Sequence, residues 1–92
     1  MSIIRIVCIG DIVGATGQAM LKKHMASLRK QADMIVINGE NSTDKGRGLS
    51  PQNVDFYKSI GVDVITSGNH IWQKKEILHV LSERSDVLRP AN

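Results

Sequence analysis

Three apolar runs in this chain each end in a Gly followed by a polar side chain. The pairs are Gly10-Asp11, Gly39-Glu40 and Gly68-Asn69, so the polar residues recur every 29 positions. That interval suits one strand plus one crossover helix, the repeating unit of a parallel sheet. Parallel strands end at the same edge of a sheet, and open α/β sheets bind their ligands at that edge. The spacing therefore predicts that Asp11, Glu40 and Asn69 gather there.

The apolar pattern predicts an α/β fold of three consecutive βα units around a parallel sheet. The predicted strands cover residues 3–9, 34–37 and 62–66, and the predicted helices cover residues 18–31, 51–60 and 73–82. Ser50-Pro51 is typical of a helix start and Gly61 of a helix stop. Leu78 is expected to face inward, and Val87-Leu88 to begin a fourth strand. The nearly continuous apolar first strand favours burial on both faces, which would make Cys8 a buried structural thiol.

Composition limits the classes of partner and compartment. The chain has 92 residues, the size of one small domain, and aromatic residues make up only 3% of it. An aromatic surface for stacking single-stranded nucleic acid is therefore not indicated. A single cysteine forms no internal disulfide, which fits a reducing cytoplasm. The N-terminal apolar run is interrupted by Arg5 and ended by Asp11, too short for a membrane span or a secretory signal.

The polar residues at the three strand ends have the chemistry of metal ligands. Asp11 alone is equally typical of a turn, but Glu40 is neither a favoured turn residue nor a favoured helix cap. Two carboxylates and an amide supply oxygen ligands, which indicates metal-assisted hydrolysis or phosphate chemistry. The long polar loop after Glu40 carries Lys45 and Arg47. These cations could contact a substrate phosphate, although a solvated loop is an equally good interpretation.

Several short motifs carry a resemblance to a known family. The chain resembles the YmdB-like proteins, a bacterial branch of the calcineurin-like metallophosphoesterases, in the order and spacing of five segments. They are Gly10-Asp11-Ile12-Val13-Gly14, Asn38-Gly39-Glu40-Asn41, Gly46-Arg47-Gly48-Leu49, Gly68-Asn69-His70 and Arg89-Pro90-Ala91-Asn92. Val13 stands where most of the superfamily has His, a departure that is itself characteristic of the YmdB-like branch. The resemblance implies a four-layer α/β/β/α sandwich that holds two metal ions, commonly iron or manganese.

The resemblance also implies a role for each site residue. By motif, Asp11 and Asn41 would bind the first metal, Glu40 would bridge both metals, and Asn69 would bind the second. His70 would be the general acid that protonates the leaving group. The implied activity is hydrolysis of phosphodiesters, with 2′,3′-cyclic nucleotides as the expected substrate class.

The chain departs from this family in length and in its histidines. Family members are far longer, and their second half supplies three more metal-binding His residues. Here the remaining histidines, His24 and His79, are predicted to lie on helix surfaces. Residues 1–92 are therefore expected to form a partial domain, the N-terminal half of the metallophosphoesterase domain, with about half of the metal shell. Such a fragment is expected to have little activity and to form homo-oligomers through exposed apolar surface.

Two other functions remain open at this point. Gly10, Gly14 and Gly17 loosely resemble a dinucleotide-binding loop, but their spacing does not match that motif and Asp11 would repel a pyrophosphate. The second alternative is a non-catalytic fragment or interaction subunit.

Overall fold

The computed structural model describes residues 2–91 and contains a three-stranded parallel sheet. In chain order the elements are β1 (Ile6–Ile9), α1 (Gly14–Gln31), β2 (Met34–Asn38), α2 (Pro51–Ser59), β3 (Val64–Thr66), a 3₁₀ helix (Asn69–Gln73) and α3 (Ile77–Glu83). The strands lie in the order β1-β2-β3, with Val7 beside Ile35 and Ile37 beside Ile65. The predicted α/β fold with consecutive βα units is confirmed.

The helices cover one face of the sheet. On that face Ile35, Ile37 and Ile65 are fully buried, in one cluster with Met25 of α1 and Tyr57 of α2. This arrangement follows from the strand order, because consecutive right-handed crossovers in one direction place every helix on the same side.

The opposite face of the sheet is not covered by the described residues. This uncovered face consists of Ile6, Cys8, Met34, Val36 and Val64, which alternate along the strands with the buried positions. Ile6 is 55% exposed, and Cys8 is exposed as well. Burial of the first strand on both faces and a buried Cys8 are therefore wrong for this chain, because an apolar run fits a sheet face whether or not another layer lies on it.

Local sequence signals set the ends of α2. The Ser50 Oγ accepts the Asn53 backbone N–H at 3.1 Å, and the Asn53 side chain accepts the Ser50 N–H at 2.9 Å. This reciprocal pair satisfies two backbone donors that the helix leaves free, and Pro51 adds a preset φ at the first turn. Gly61, just beyond the helix, has a φ of 101°, which a side chain would disfavour. Both predicted boundaries of α2 are confirmed.

Two predicted helix starts are wrong. Helix α1 begins at Gly14 rather than at residue 18, and a Cβ on Gly17 would lie 3.0 Å from the Ile12 side chain. Gly17 therefore allows α1 to pack closely against Ile12, rather than forming a turn. Helix α3 begins at Ile77 rather than at residue 73, because residues 69–73 form the 3₁₀ helix. Leu78 is 50% exposed, contrary to the prediction, and Val80 is partly buried instead.

The C-terminal segment joins the edge of the sheet at a single point. Val87 forms an isolated parallel bridge with Ile65, which is all of the predicted fourth strand that forms among the described residues. Asn92, the last residue of the terminal motif, lies outside the described part. Among residues 2–91, no helix combines the length and the apolar character needed to cross a lipid bilayer.

Candidate functional site

The three repeated polar residues all follow the carboxyl ends of parallel strands. Asp11 comes two residues after β1, Glu40 two residues after β2, and Asn69 three residues after β3. Because the strands are parallel and adjacent, these positions share one edge of the sheet.

Asp11 lies in a sharp turn that is tied to the neighbouring strand end. Its φ is 35°, and it is the one non-glycine residue with positive φ among residues 2–91. The Asn41 Nδ2 donates to the Asp11 Oδ1 at 2.7 Å. Backbone bonds join the same two loops, since the Ile12 N–H donates to the Asn38 carbonyl and the Gly14 N–H to the Asn41 carbonyl. The uncommon φ is therefore held by surrounding contacts, a feature that recurs at functional sites.

Glu40 is held between the ends of β2 and β3. Its Oε1 accepts from the Asn38 Nδ2 at 3.3 Å, and its Oε2 accepts the His70 backbone N–H at 3.1 Å. Its side chain is only 16% exposed. A Cβ on Gly68 would lie 2.5 Å from Oε1 and 2.9 Å from Oε2. The carboxylate occupies this position only because residue 68 lacks a side chain.

His70 belongs to a chain of hydrogen bonds that reaches Asp11. Its Nδ1 lies 2.5 Å from the Asn41 Oδ1 and 3.7 Å from the Glu40 Oε2. The Asn41 amide nitrogen already donates to Asp11, so the Asn41 oxygen faces His70 and can only accept. His70 therefore carries a proton on Nδ1, and Nε2 is the nitrogen left for a substrate or solvent.

Asn69 is placed at the same edge but outside this hydrogen-bonded group. It is the first residue of the 3₁₀ helix and is exposed. His24 and His79 are exposed on α1 and α3, and His79 lies 3.3 Å from Glu83 on its own helix. Their predicted placement on helix surfaces is confirmed.

The oxygen ligands at this edge are of the type that hard metal ions prefer. Carboxylate and amide oxygens suit manganese among the metals that the resemblance implies, and the Asn41 oxygen has a second lone pair beyond the one that accepts from His70. Within residues 2–91, no three side chains drawn from His, Cys, Asp and Glu converge as a metal site. A metal held by these residues would therefore need the amide oxygens of Asn41 and Asn69 as well.

Two supporting residues are not distinguished by residue type alone. Asn38 orients Glu40, and the bare Cα of Gly68 admits the Glu40 carboxylate. Asn38 lies in the Asn-Gly-Glu-Asn segment and Gly68 in the Gly-Asn-His segment, so only the whole motif indicates that these two residues support the site. Lys45 and Arg47 are exposed on the loop after Glu40.

The glycines after β1 do not form a phosphate cradle. The Gly14 N–H donates to the Asn41 carbonyl at 2.9 Å and the Gly17 N–H to the Val13 carbonyl at 3.1 Å. A nucleotide-binding loop needs such amides to point at the phosphate.

Comparison with known proteins identifies the family. Residues 7–92 match the YmdB-like protein family. The chain belongs to the YmdB-like family. It is 39% identical over 90 residues to a 2′,3′-cyclic-nucleotide 2′-phosphodiesterase of Bacillus subtilis, and the match covers 96% of this chain and 34% of that protein.

Two solved structures share the fold. A crystal structure described as a novel phosphatase of Mycoplasma pneumoniae aligns with a TM-score of 0.92 and 39% identity, over 100% of this chain and 33% of that one. A hypothetical protein of Thermus thermophilus aligns with a TM-score of 0.88 and 32% identity, over 95% of this chain and 34% of that one. The chain thus spans about a third of the length of the relatives it matches. Fold and family are established on this basis.

Proposed function

We propose that this chain is the N-terminal part of a metal-dependent phosphodiesterase that acts on 2′,3′-cyclic nucleotides in the cytoplasm. The observation that carries the proposal is the hydrogen-bonded group of Asp11, Glu40, Asn41 and His70 at the carboxyl edge of the sheet. The name of the Bacillus subtilis relative supports the substrate class.

Two iron or manganese ions are the proposed cofactors. Asp11, Asn41 and Asn69 would each hold one ion, and Glu40 would be shared by both. Bound there, the ions would supply a nucleophile at neutral pH and neutralise charge on the phosphoryl group. Residues 1–92 would then form one part of a longer catalytic domain.

Hydrogen bonds hold the Glu40 and Asn41 side chains in place before a substrate binds. The Asn38 side chain and the His70 backbone each donate a hydrogen bond to one Glu40 oxygen, which fixes the carboxylate. The Asn41 amide is fixed by Asp11 on one side and by His70 on the other. A site held in this way loses little freedom when the substrate binds, which lowers the barrier to reaction.

His70 is the proposed general acid. The Asn41 oxygen fixes a proton on Nδ1, so Nε2 is the atom that would hold the proton given to the leaving alkoxide. The same contact sets the plane of the imidazole ring. Lys45 and Arg47 are proposed to contact the anionic substrate from the loop that follows Glu40.

Substitutions in a full-length family member that carries these motifs test the proposal, with residues numbered as here. Hydrolysis of a 2′,3′-cyclic nucleotide is measured with Glu40→Gln, His70→Ala and, as a matched control, His79→Ala. Glu40→Gln removes the charge of the proposed bridging carboxylate and is expected to nearly abolish activity. His70→Ala is expected to slow turnover roughly 100-fold while metal content stays close to normal.

The control, His79→Ala, removes an exposed histidine that lies away from the site, and it should retain wild-type turnover. If His70→Ala lost its metal, the residue would be a ligand and the general-acid role would be wrong. Wild-type turnover by Glu40→Gln would refute the proposed site.

A further inference from the structure

A positively charged cavity lies beside the candidate site. It has a volume of about 420 Å³ and is lined by Lys45, Arg47, Gln73 and Lys74. Three of these side chains are cationic, the fourth is an amide, and none is a carboxylate. Like charges that line one cavity raise its potential and attract an anion. The lining therefore has the chemistry of a phosphate site.

The backbone that carries these cations is well fixed. Within the loop, the Gly48 carbonyl accepts the N–H groups of Ser42 and Thr43 at 3.0 and 3.1 Å, and the Thr43 hydroxyl donates to the Arg47 carbonyl. Gly48 has a φ of 92°, and a Cβ there would lie 3.0 Å from the Lys74 side chain. The loop is thus packed directly against the segment that carries Lys74.

The same two segments support the candidate catalytic residues. The Gly48 N–H donates to the Glu40 carbonyl at 2.5 Å. Lys74 directly follows the 3₁₀ helix, whose first two residues are Asn69 and His70. The cavity and the proposed metal site are therefore joined by one short stretch of backbone on each side.

Among the described residues, no ion pair neutralises the cations of the cavity. In residues 2–91 the basic side chains that pair with Asp do so elsewhere, as Arg29 with Asp63 and Lys58 with Asp86. No carboxylate of the described residues lies within ion-pairing distance of Lys45, Arg47 or Lys74. Asp44 borders a neighbouring cavity that shares two of these lysines, on the side of Ser50 and Asn53.

We infer that this cavity binds a second phosphate of the substrate, one that is not hydrolysed. As a statement about the substrate the inference rests on the proposed function. A nucleoside 2′,3′-cyclic phosphate can carry such a group on its 5′ oxygen. The Arg47 guanidinium can bind this 5′-phosphate with two parallel hydrogen bonds, and the Lys45 and Lys74 ammonium groups add positive charge. The preferred substrates are then nucleoside 2′,3′-cyclic phosphates that also carry a 5′-phosphate.

The first experiment compares two substrates in a full-length, metal-loaded family member. The kcat/KM is measured for a nucleoside 2′,3′-cyclic phosphate with and without a 5′-phosphate, in the wild type, Lys74→Ala and Lys75→Ala. Lys75 is the matched control, an exposed neighbour that does not line the cavity. The wild type should prefer the phosphorylated substrate. Lys74→Ala should reduce that preference about tenfold and leave the other substrate unchanged, whereas Lys75→Ala should keep it.

A binding measurement separates this inference from the proposed function. Calorimetry compares a nucleoside 3′,5′-bisphosphate with the 3′-monophosphate on the same three proteins. Tighter binding of the bisphosphate that depends on Lys74 supports the cavity even if neither cyclic nucleotide is hydrolysed, in which case only the proposed function fails. Hydrolysis of both substrates with no preference, or an equal effect of Lys74→Ala and Lys75→Ala, would overturn the inference and leave the function standing.

Discussion

Adding one methyl group at Gly68 should disable the candidate site without unfolding the protein. The new Cβ in Gly68→Ala would lie 2.5 Å from Oε1 and 2.9 Å from Oε2 of Glu40, well inside van der Waals contact. Gly68 has a φ of −132°, outside the left-handed region that favours glycine. The Glu40 carboxylate must therefore move, by roughly 1 Å, to restore an ordinary contact. A displacement of about 1 Å in a catalytic group lowers turnover on the order of 100-fold.

The cost in stability should be small by comparison. The clashing atoms belong to the end of a flexible side chain rather than to the backbone or the core. Alanine also restricts the unfolded chain, which stabilises by about 0.4–1 kcal/mol where the native φ permits it. The net change in the free energy of unfolding should therefore stay below about 1 kcal/mol. This separation of activity from stability distinguishes a displaced Glu40 from general damage.

The assay pairs Gly68→Ala with Gly10→Ala in a full-length family member that carries these motifs. Gly10 follows β1 at the same edge of the sheet, and a Cβ there meets nothing within 4 Å. Hydrolysis of bis-p-nitrophenyl phosphate and thermal unfolding are measured on both variants. Gly10→Ala should remain close to wild type in both. Unchanged turnover in Gly68→Ala would show that the position of the Glu40 carboxylate does not matter to the reaction.

The remaining predictions concern stability and assembly. Tyr57→Phe removes the partner of the buried Ser42 hydroxyl at 2.5 Å and should cost about 1–2 kcal/mol in urea unfolding, part of which the added Ser42→Ala should recover. Arg84 and then Lys58 hold the pKa of Asp86 well below its usual value, so the ionised carboxylate stabilises the fold above about pH 4 and this stabilisation is lost as pH falls further. Asp86→Asn should therefore lose less stability on acidification than the wild type, and an unchanged dependence of stability on pH would contradict this. Light scattering should show that residues 1–92 self-associate through the uncovered sheet face as concentration rises, whereas a constant monomer mass without binding of a hydrophobic dye would refute this.

The sequence predicted the parts of the fold that depend on periodic signals. The 29-residue interval of Asp11, Glu40 and Asn69 is sufficient to predict parallel βα units, because the period is set by the geometry of one strand and one crossover. The start of α2 was equally clear, since Ser50 and Pro51 act locally. Cys8 was misplaced because burial depends on what lies against a sheet face, and an apolar run carries no information about that.

The sequence predicts that the candidate residues lie at one edge of the sheet, but it does not predict their contacts. Motif order could indicate that Glu40 and His70 meet, yet the direction of each hydrogen bond depends on tertiary geometry. The positive φ of Asp11 and the contact between Gly48 and Lys74 arise the same way, from segments about 25 to 30 residues apart in sequence. The basic cavity was missed because Lys74 follows a helix that residue type alone did not predict.

Metal content tests the central claim most directly. Elemental analysis of a purified full-length family member, alone and as Glu40→Gln, counts the ions that these strand-end residues are proposed to hold. The wild type should contain close to two iron or manganese ions per chain, and Glu40→Gln should contain fewer than one, because the proposed bridging carboxylate is lost. A wild-type protein that hydrolyses phosphodiesters without metal, or a Glu40→Gln variant that retains both ions, would contradict the account.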